Sequence, residues 1–234
     1  MSLSRETEVI FDSRRGQDYH SANPPLYDSS TFHQTVLGGN AQYDYARSGN
    51  PNRTLLEEKL ARLEGGKYAF AYASGIAAIT AVLLTLKSDD HVILPDDVYG
   101  GTFRLTEQIL NRFNIKFTTV NTTNILEIKN AIQSNTKLIY VETPSNPLFK
   151  ITDIRAVARI AKQNNLLLAV DNTFMTPLGQ SPLALGADIV VHSATKFLGG
   201  HSDLIAGAAI TNRKDIADAL YLLSLIHISE PTRP

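Results

Sequence analysis

The chain has no cysteine at any of its 234 positions. Disulfides and thiolate metal sites are therefore excluded, which suits a reducing compartment. Net charge is also scarce. Twenty-two Lys and Arg against 23 Asp and Glu leave −1, too little for a basic field aimed at nucleic acid or an anionic membrane. Long apolar runs are missing: the longest, Gly75 to Leu86, is interrupted by Thr80 and Thr85 and is too short to span a bilayer. Met1 to Gln17 mixes acids and arginines without an apolar core, so no secretory signal is expected. The glycine signatures of dinucleotide and P-loop sites do not occur. His192 and His201 flank a lysine, but no ligand spacing recurs around them, so core and loop roles are expected and no metal. These absences lead to the expectation of a soluble, cytoplasmic protein.

What is present is globular: 43% hydrophobic and 19% charged residues place the chain far from disordered composition. Short apolar runs at Tyr68–Tyr72, His91–Leu94, Ile115–Val120, Leu138–Val141, Leu166–Val170, Ile189–Val191 and Leu204–Ile210 read as strands. Helical patterns lie between them. One starts at Pro51 and stops at Gly65-Gly66; another opens at Gly75; others cover Thr102–Phe113, Ile125–Ile132, the segment capped by Thr152-Asp153, and Asp215–Leu223. Such alternation predicts an α/β fold with a mostly parallel, doubly wound sheet. Residues 1–49 break the rhythm and read as an extended N-terminal arm, with residues 50–223 as the main domain.

In such sheets ligands sit beyond the carboxyl ends of the strands. Ser74, Pro95 to Tyr99, Glu142 to Asn146, Asp171 and Ser193 to Lys196 all follow predicted strands directly, so they are expected on one edge. Lys196 lies 25 residues beyond Asp171, apparently at the end of a buried strand and between Thr195 and Gly199-Gly200. A lysine and an acid so placed suit pyridoxal phosphate (PLP) chemistry: the amine takes the cofactor aldehyde and the carboxylate keeps a ring nitrogen protonated. Ser74-Gly75-Ile76 joins a strand to a helix start, where backbone N–H groups favour a phosphate. Ser193 and Thr195 add hydroxyls, the Tyr99 ring suits a flat cofactor, and Asn146 suits a ring oxygen. Each also has a plain structural reading, as a turn, a strand-end cap or a core tyrosine.

Six segments taken in order resemble the cysteine/methionine-metabolism (transsulfuration) family of PLP-dependent enzymes. They are Tyr45-Ala46-Arg47-Ser48-Gly49-Asn50-Pro51, Ala73-Ser74-Gly75, Asp97-Val98-Tyr99-Gly100-Gly101-Thr102, Glu142-Thr143-Pro144-Ser145-Asn146-Pro147, Val170-Asp171-Asn172-Thr173 and Ser193-Ala194-Thr195-Lys196. The resemblance implies the large domain of the type I PLP-transferase fold, with a seven-strand-type sheet. It makes Lys196 the Schiff-base lysine and proton shuttle, Asp171 the partner of the pyridinium nitrogen, and Tyr99 the stacking residue. It assigns the phosphate to the backbone at Gly75 and Ile76 and to the Ser193 and Thr195 hydroxyls. Tyr45 and Arg47 would reach the phosphate in a neighbouring subunit's site, so a homo-oligomer, a dimer of dimers, is implied, with amino acids as substrates.

Family members are longer, and the smaller domain that binds the substrate carboxylate lies outside this sequence. Ser224 to Pro234 ends Pro-Thr-Arg-Pro and reads as a non-native tail. Within the family, the segments around Tyr99 and Arg47 favour the cystathionine gamma-synthases, which join an O-acylhomoserine to cysteine by γ-replacement, with sulfhydrylation of O-acetylhomoserine a related use. Gly101 speaks against methionine γ-lyases, which tend to carry cysteine there. The alternative is a cystathionine γ- or β-lyase, or a fragment of such an enzyme without catalysis.

Overall fold

Seven strands form one sheet in the order β1-β7-β6-β5-β4-β2-β3: β1 Tyr68–Tyr72, β2 His91–Pro95, β3 Lys116–Val120, β4 Thr136–Glu142, β5 Leu167–Asp171, β6 Ile189–His192 and β7 Gly207–Thr211. The computed structural model describes residues 4–10, 23–34, 36, 38–39 and 41–227. β2 to β6 pair in parallel, whereas β7 runs antiparallel between β1 and β6.

Helices cover both faces, as the apolar runs require. On one face, Val92, Leu94, Leu138 and Tyr140 pack with Ala78, Val82 and Leu83 of α3 (Gly75–Leu83) and with Ile216 and Leu220 of α9 (Lys214–His227). On the other, Ile93, Ile139, Val141, Leu168 and Val170 pack with Ile128 of α5 (Ile125–Ala131) and Val157 and Ile160 of α6 (Ile154–Gln163). Alternate residues of one strand thus point to opposite layers, and neither face is left for water. Helix α2 (Pro51–Glu64) lies over β1, β6 and β7 through Leu60 and Ala61.

Four differences from the sequence reading have local causes. The run expected as one helix over Thr102–Phe113 is α4 (Gly100–Arg104), then a π turn at Leu105–Ile109, then a 3₁₀ turn at Leu110–Phe113. Thr106 Oγ1 donates back to the carbonyls of Thr102 and Phe103, a side-chain competitor inside the ladder that accompanies the change in winding. β7 starts at Gly207, not Leu204, because Ala206 is already bonded to Thr195. Helix α9 runs past Leu223 to His227 with Ser224 2% exposed, so no structural boundary falls at 223. The arm contains a short helix, α1 (Arg5–Ile10), and is therefore not extended throughout.

Two described parts of the arm, at Pro25–Tyr27 and Arg47–Ser48, are tied down at the start of α2. Tyr27 N–H donates to Asn52 Oδ1 at 2.7 Å, Asn52 Nδ2 to the Pro25 carbonyl at 2.7 Å, and Arg53 to the carbonyls of Arg47 and Ser48 at 3.0 and 2.9 Å. The tail segment 228–234 and arm residues 1–3 and 11–22 lie outside the described residues. Among the described residues no helix is long and apolar enough to cross a membrane.

Candidate active site

Two carboxylates stand side by side where β4 and β5 end, since Glu142 and Asp171 are register partners. β5 is apolar up to Asp171, and β4, after Thr136 and the exposed Lys137, is buried from Leu138 through to Glu142. Asp171 is 6% exposed and held at both oxygens: Tyr140 Oη donates to Oδ2 at 3.0 Å, and Thr173 N–H donates to Oδ1 at 3.0 Å. Burial, with Asp171 beside it, holds the Tyr140 hydroxyl far above its ordinary range.

Glu142 binds two loops. Its Oε2 accepts from the Tyr99 N–H at 2.9 Å and its Oε1 from the Asn146 N–H at 3.0 Å. Burial raises its carboxyl to about 8, with the Asp171 charge as the next cause, against the pull of those two N–H groups. Sequence reading placed Glu142 on the site edge but gave it no role, although its place inside the Glu142–Pro147 motif, one strand from Asp171, was a usable signal. The site residues Tyr99 and Asn146 depend on it for their backbone positions. The Tyr99 ring is exposed, and Asn146 is half-buried.

The antiparallel β7 brings the ends of β1 and β6 to the same edge. After β1, Ser74 caps α3 by accepting the Ala77 N–H at 3.1 Å. The N–H groups of Gly75 and Ile76, in the first turn, have no intrahelical acceptor. Gly75 sits against the lysine turn so closely that a Cβ there would lie 2.5 Å from Ser193 Cβ and 2.8 Å from its Oγ. Only glycine allows that approach. The Ser193 N–H donates to Thr173 Oγ1 at 2.8 Å, which ties the lysine turn to the Asp171 loop.

Two expectations change. Thr195 Oγ1 is already engaged, donating to the Ala206 carbonyl at 3.2 Å and accepting its N–H at 3.1 Å. Lys196 does not end a buried strand. Ser193 to Thr195 form a turn past His192, the Lys196 N–H returns to the Ser193 carbonyl, and the side chain is exposed with no partner among the described residues. Tyr45 and Arg47 are both exposed; the Arg47 guanidinium lies over the Tyr45 ring at 5.5 Å, and no described bond joins either to Gly75, Ser193 or Thr195 of the same chain.

Residues 6–227 match the family model described as Cys/Met metabolism PLP-dependent enzyme. The chain belongs to this family. Among its relatives, cystathionine beta-lyase MetC of Staphylococcus haemolyticus (strain JCSC1435) is 86% identical over 223 residues, covering 95% of this chain and 57% of that protein. The cystathionine gamma-synthase of Mycobacterium leprae (strain TN) is 46% identical over 205 residues, covering 87% and 53%. Of the solved structures, a cystathionine gamma-lyase from Lactobacillus plantarum complexed with L-serine superposes with a TM-score of 0.92 at 44% identity, covering 96% of this chain and 59% of that one. The chain thus spans little more than half the length of these relatives. It has their α/β fold, and the family cofactor is pyridoxal 5′-phosphate.

The site fits that cofactor on its own geometry. Gly75 lets the start of α3 lie directly against Ser193, so that two first-turn N–H groups without an intrahelical acceptor adjoin the Ser193 hydroxyl. A carboxylate fixed at both oxygens and a lysine amine without a partner complete the donor set that a phosphate, a pyridine nitrogen and an aldehyde require.

Proposed function

We propose that the chain is the cofactor-binding part of a lyase that cleaves cystathionine, rather than the γ-replacement synthase favoured by the sequence motifs. The observation that carries this choice is the 86% identity to a cystathionine beta-lyase, against 46% to a gamma-synthase. A gamma-lyase is the second reading, supported by the likeness to the Lactobacillus plantarum structure.

When bound, pyridoxal phosphate draws off the electron pair left on the substrate α-carbon. The chain's own residues do the rest. Asp171, oriented beforehand by Tyr140 and Thr173, keeps the ring nitrogen protonated. Lys196 would be the attachment amine for the cofactor aldehyde and would move the proton at the substrate α-carbon. Tyr99 would hold the cofactor ring by stacking, and Asn146 would hold its ring oxygen. The N–H groups of Gly75 and Ile76 and the hydroxyls of Ser193 and Thr195 hold the phosphate; for Thr195 this means sharing an oxygen already bonded to Ala206. Tyr45 and Arg47 serve the phosphate of a second subunit, so residues 1–49 act as an arm across a homo-oligomer, a dimer of dimers. The PLP domain begins at residue 50 and takes in the whole of helix α9 to His227, and the substrate carboxylate is held by a further domain. A cytoplasmic enzyme acting on amino acids fits this set.

The test supplies the intact protein with cystathionine and identifies the thiol and the oxo acid released. Homocysteine with pyruvate means β-cleavage, and cysteine with 2-oxobutyrate means γ-cleavage. Inert cystathionine, with an O-acylhomoserine and cysteine joined instead, would restore the synthase.

A further inference from the structure

Beneath the site edge lies a buried polar cluster that the proposed chemistry does not use. Glu64 closes α2 and is 1% exposed. Its Oε1 accepts from Asn172 Nδ2 at 2.8 Å and stands 2.5 Å from His192 Nε2. Both partners are wholly buried. Asn172 directly follows Asp171, and His192 directly precedes Ser193. One oxygen therefore grips the ends of two adjacent strands, just below the residues assigned to the ring, the phosphate and the aldehyde. Asn172 extends the grip: its Nδ2 also reaches the carbonyls of Thr176 and Gln180, and its Oδ1 accepts from Gln180 Nε2 at 3.0 Å. Gln180 Nε2 in turn reaches the carbonyl of Thr143, the residue after Glu142.

Packing alone does not call for this cluster. Leu60 and Ala61 already seat α2 on Ala69, Val190, Ala208 and Ile210. A buried carboxylate is costly to desolvate, and an apolar side chain of similar volume commonly serves stability as well or better. Moreover, Glu64 Oε2 and His192 Nδ1 have no partner, so the cluster carries two unsatisfied buried atoms. What it provides is orientation. Backbone pairing joins β5 and β6 at Asp171–Val191 and ends with the Asn172 N–H donating to the Val191 carbonyl at 2.9 Å; beyond that bond the Asn172 and His192 side chains are tied to one another through Glu64.

We propose that Glu64 is a positioning residue: through Asn172 and His192 it sets the distance and rotation between Asp171 and the Ser193–Lys196 turn. It touches neither cofactor nor substrate. The proposal rests on the roles given to Asp171 and Lys196 above.

The experiment uses the intact protein and compares wild type, Glu64→Gln and Leu60→Ala. The glutamine keeps the volume and one carbonyl oxygen for Asn172 and His192, but replaces Oε2 with an NH2 group that has no acceptor among the described residues and so turns the amide against the cluster. Leu60→Ala leaves a void in the same helix face without touching the cluster. Three quantities are read: the Tm of the cofactor-free protein, the pyridoxal phosphate dissociation constant by equilibrium dialysis, and the visible absorption of the bound cofactor against pH. Glu64→Gln should bind about tenfold more weakly, at the low end of what losing an orienting outer partner costs a metal site. Its absorption should shift with pH differently from wild type, while its Tm stays close. Leu60→Ala should lose more Tm yet keep the affinity within about twofold. Should Glu64→Gln fail to fold, His192→Asn, which breaks the same contact from the other side, is judged by the same three readings. Unchanged affinity and spectrum in the cluster variant, or an equal loss of affinity in Leu60→Ala, would overturn the proposal. Failure of the underlying site reading looks different: wild type itself would take up no cofactor, or borohydride would fix it on a lysine other than Lys196, and the proposal would fall with it.

Discussion

Glu57 is a half-buried acid and Glu142 a buried one, and their positions decide how the protein responds to pH. Burial raises Glu57 to about 7, opposed by the Ala71 N–H and by Arg53 3.5 Å away. Glu142 is raised to about 8. Both have an ordinary value of 4.5, so between that value and the raised one the folded chain holds more protons than the unfolded chain. Stability must then fall as pH rises through this window. The cofactor-free protein is expected to have a lower Tm at about pH 9 than at about pH 6, and Glu57→Gln, whose amide still accepts from Ala71, should show a smaller fall. Equal slopes in the two proteins would show that Glu57 does not titrate there. Sequence spacing exposed the residues whose chemistry is distinctive: Lys196, Asp171 and the Ser74–Ile76 turn stand after strands in an order that few folds share. Glu142, Glu64 and Asn172 were not legible in the same way. Their importance comes from partners 43, 108 and 128 positions away in the chain, contacts that exist only once the sheet is assembled.

Helix α2 shows how an element can do two jobs at one end. The Asn50 side chain accepts the N–H groups of Asn52 and Arg53 at 2.8 and 3.4 Å, which is ordinary capping, and its Nδ2 donates to the Tyr27 carbonyl in the arm at 3.1 Å. Asn50→Ala is expected to cost about 1 kcal/mol and to lower Tm by about 2–4 °C. It should also speed proteolysis near Tyr27, whereas Asn50→Ser should keep most of the stability because it still caps, yet lose the arm contact. Identical proteolysis of the alanine variant and wild type would mean that Asn52 and Arg53 hold the arm without Asn50. Strand existence was readable because β2, β5 and β6 are buried apolar runs and β4 is one from Leu138 onward, while β3, with two threonines and an exposed lysine, was marked by its β-branched residues. Helix winding was not: Thr106 looks like any helical threonine until its hydroxyl is seen bonding backward, and β7 starts only after Ala206, which is bonded to Thr195 eleven residues earlier.

At the scale of the whole molecule, the exposed pair of Tyr45 and Arg47 is the feature that a single chain leaves unused. If these residues serve a second subunit, mixing two dead variants should restore activity. In a dimer of one Arg47→Ala chain and one Lys196→Ala chain, one site receives an intact Lys196 from the first chain and an intact Arg47 from the second. About half of the sites in such mixed dimers should recover after subunit exchange, where sites built within one chain would recover none. Exchange proven by mass without any recovered turnover would return the arm to its own chain.

The antiparallel β7 has a mechanical consequence. It separates β1 from β6, so the Ser74–Ile76 turn and the Ser193–Lys196 turn belong to strands that share no ladder. A single phosphate held by both turns, as proposed above, would act as a clasp over β7 and close a loop of about 120 residues of chain. Loss of that clasp frees two distant parts of the backbone at once, so amide hydrogens of β1, β6 and β7 should exchange as one unit, slowly with the cofactor and faster without it, while β3 at the far margin keeps its own rate.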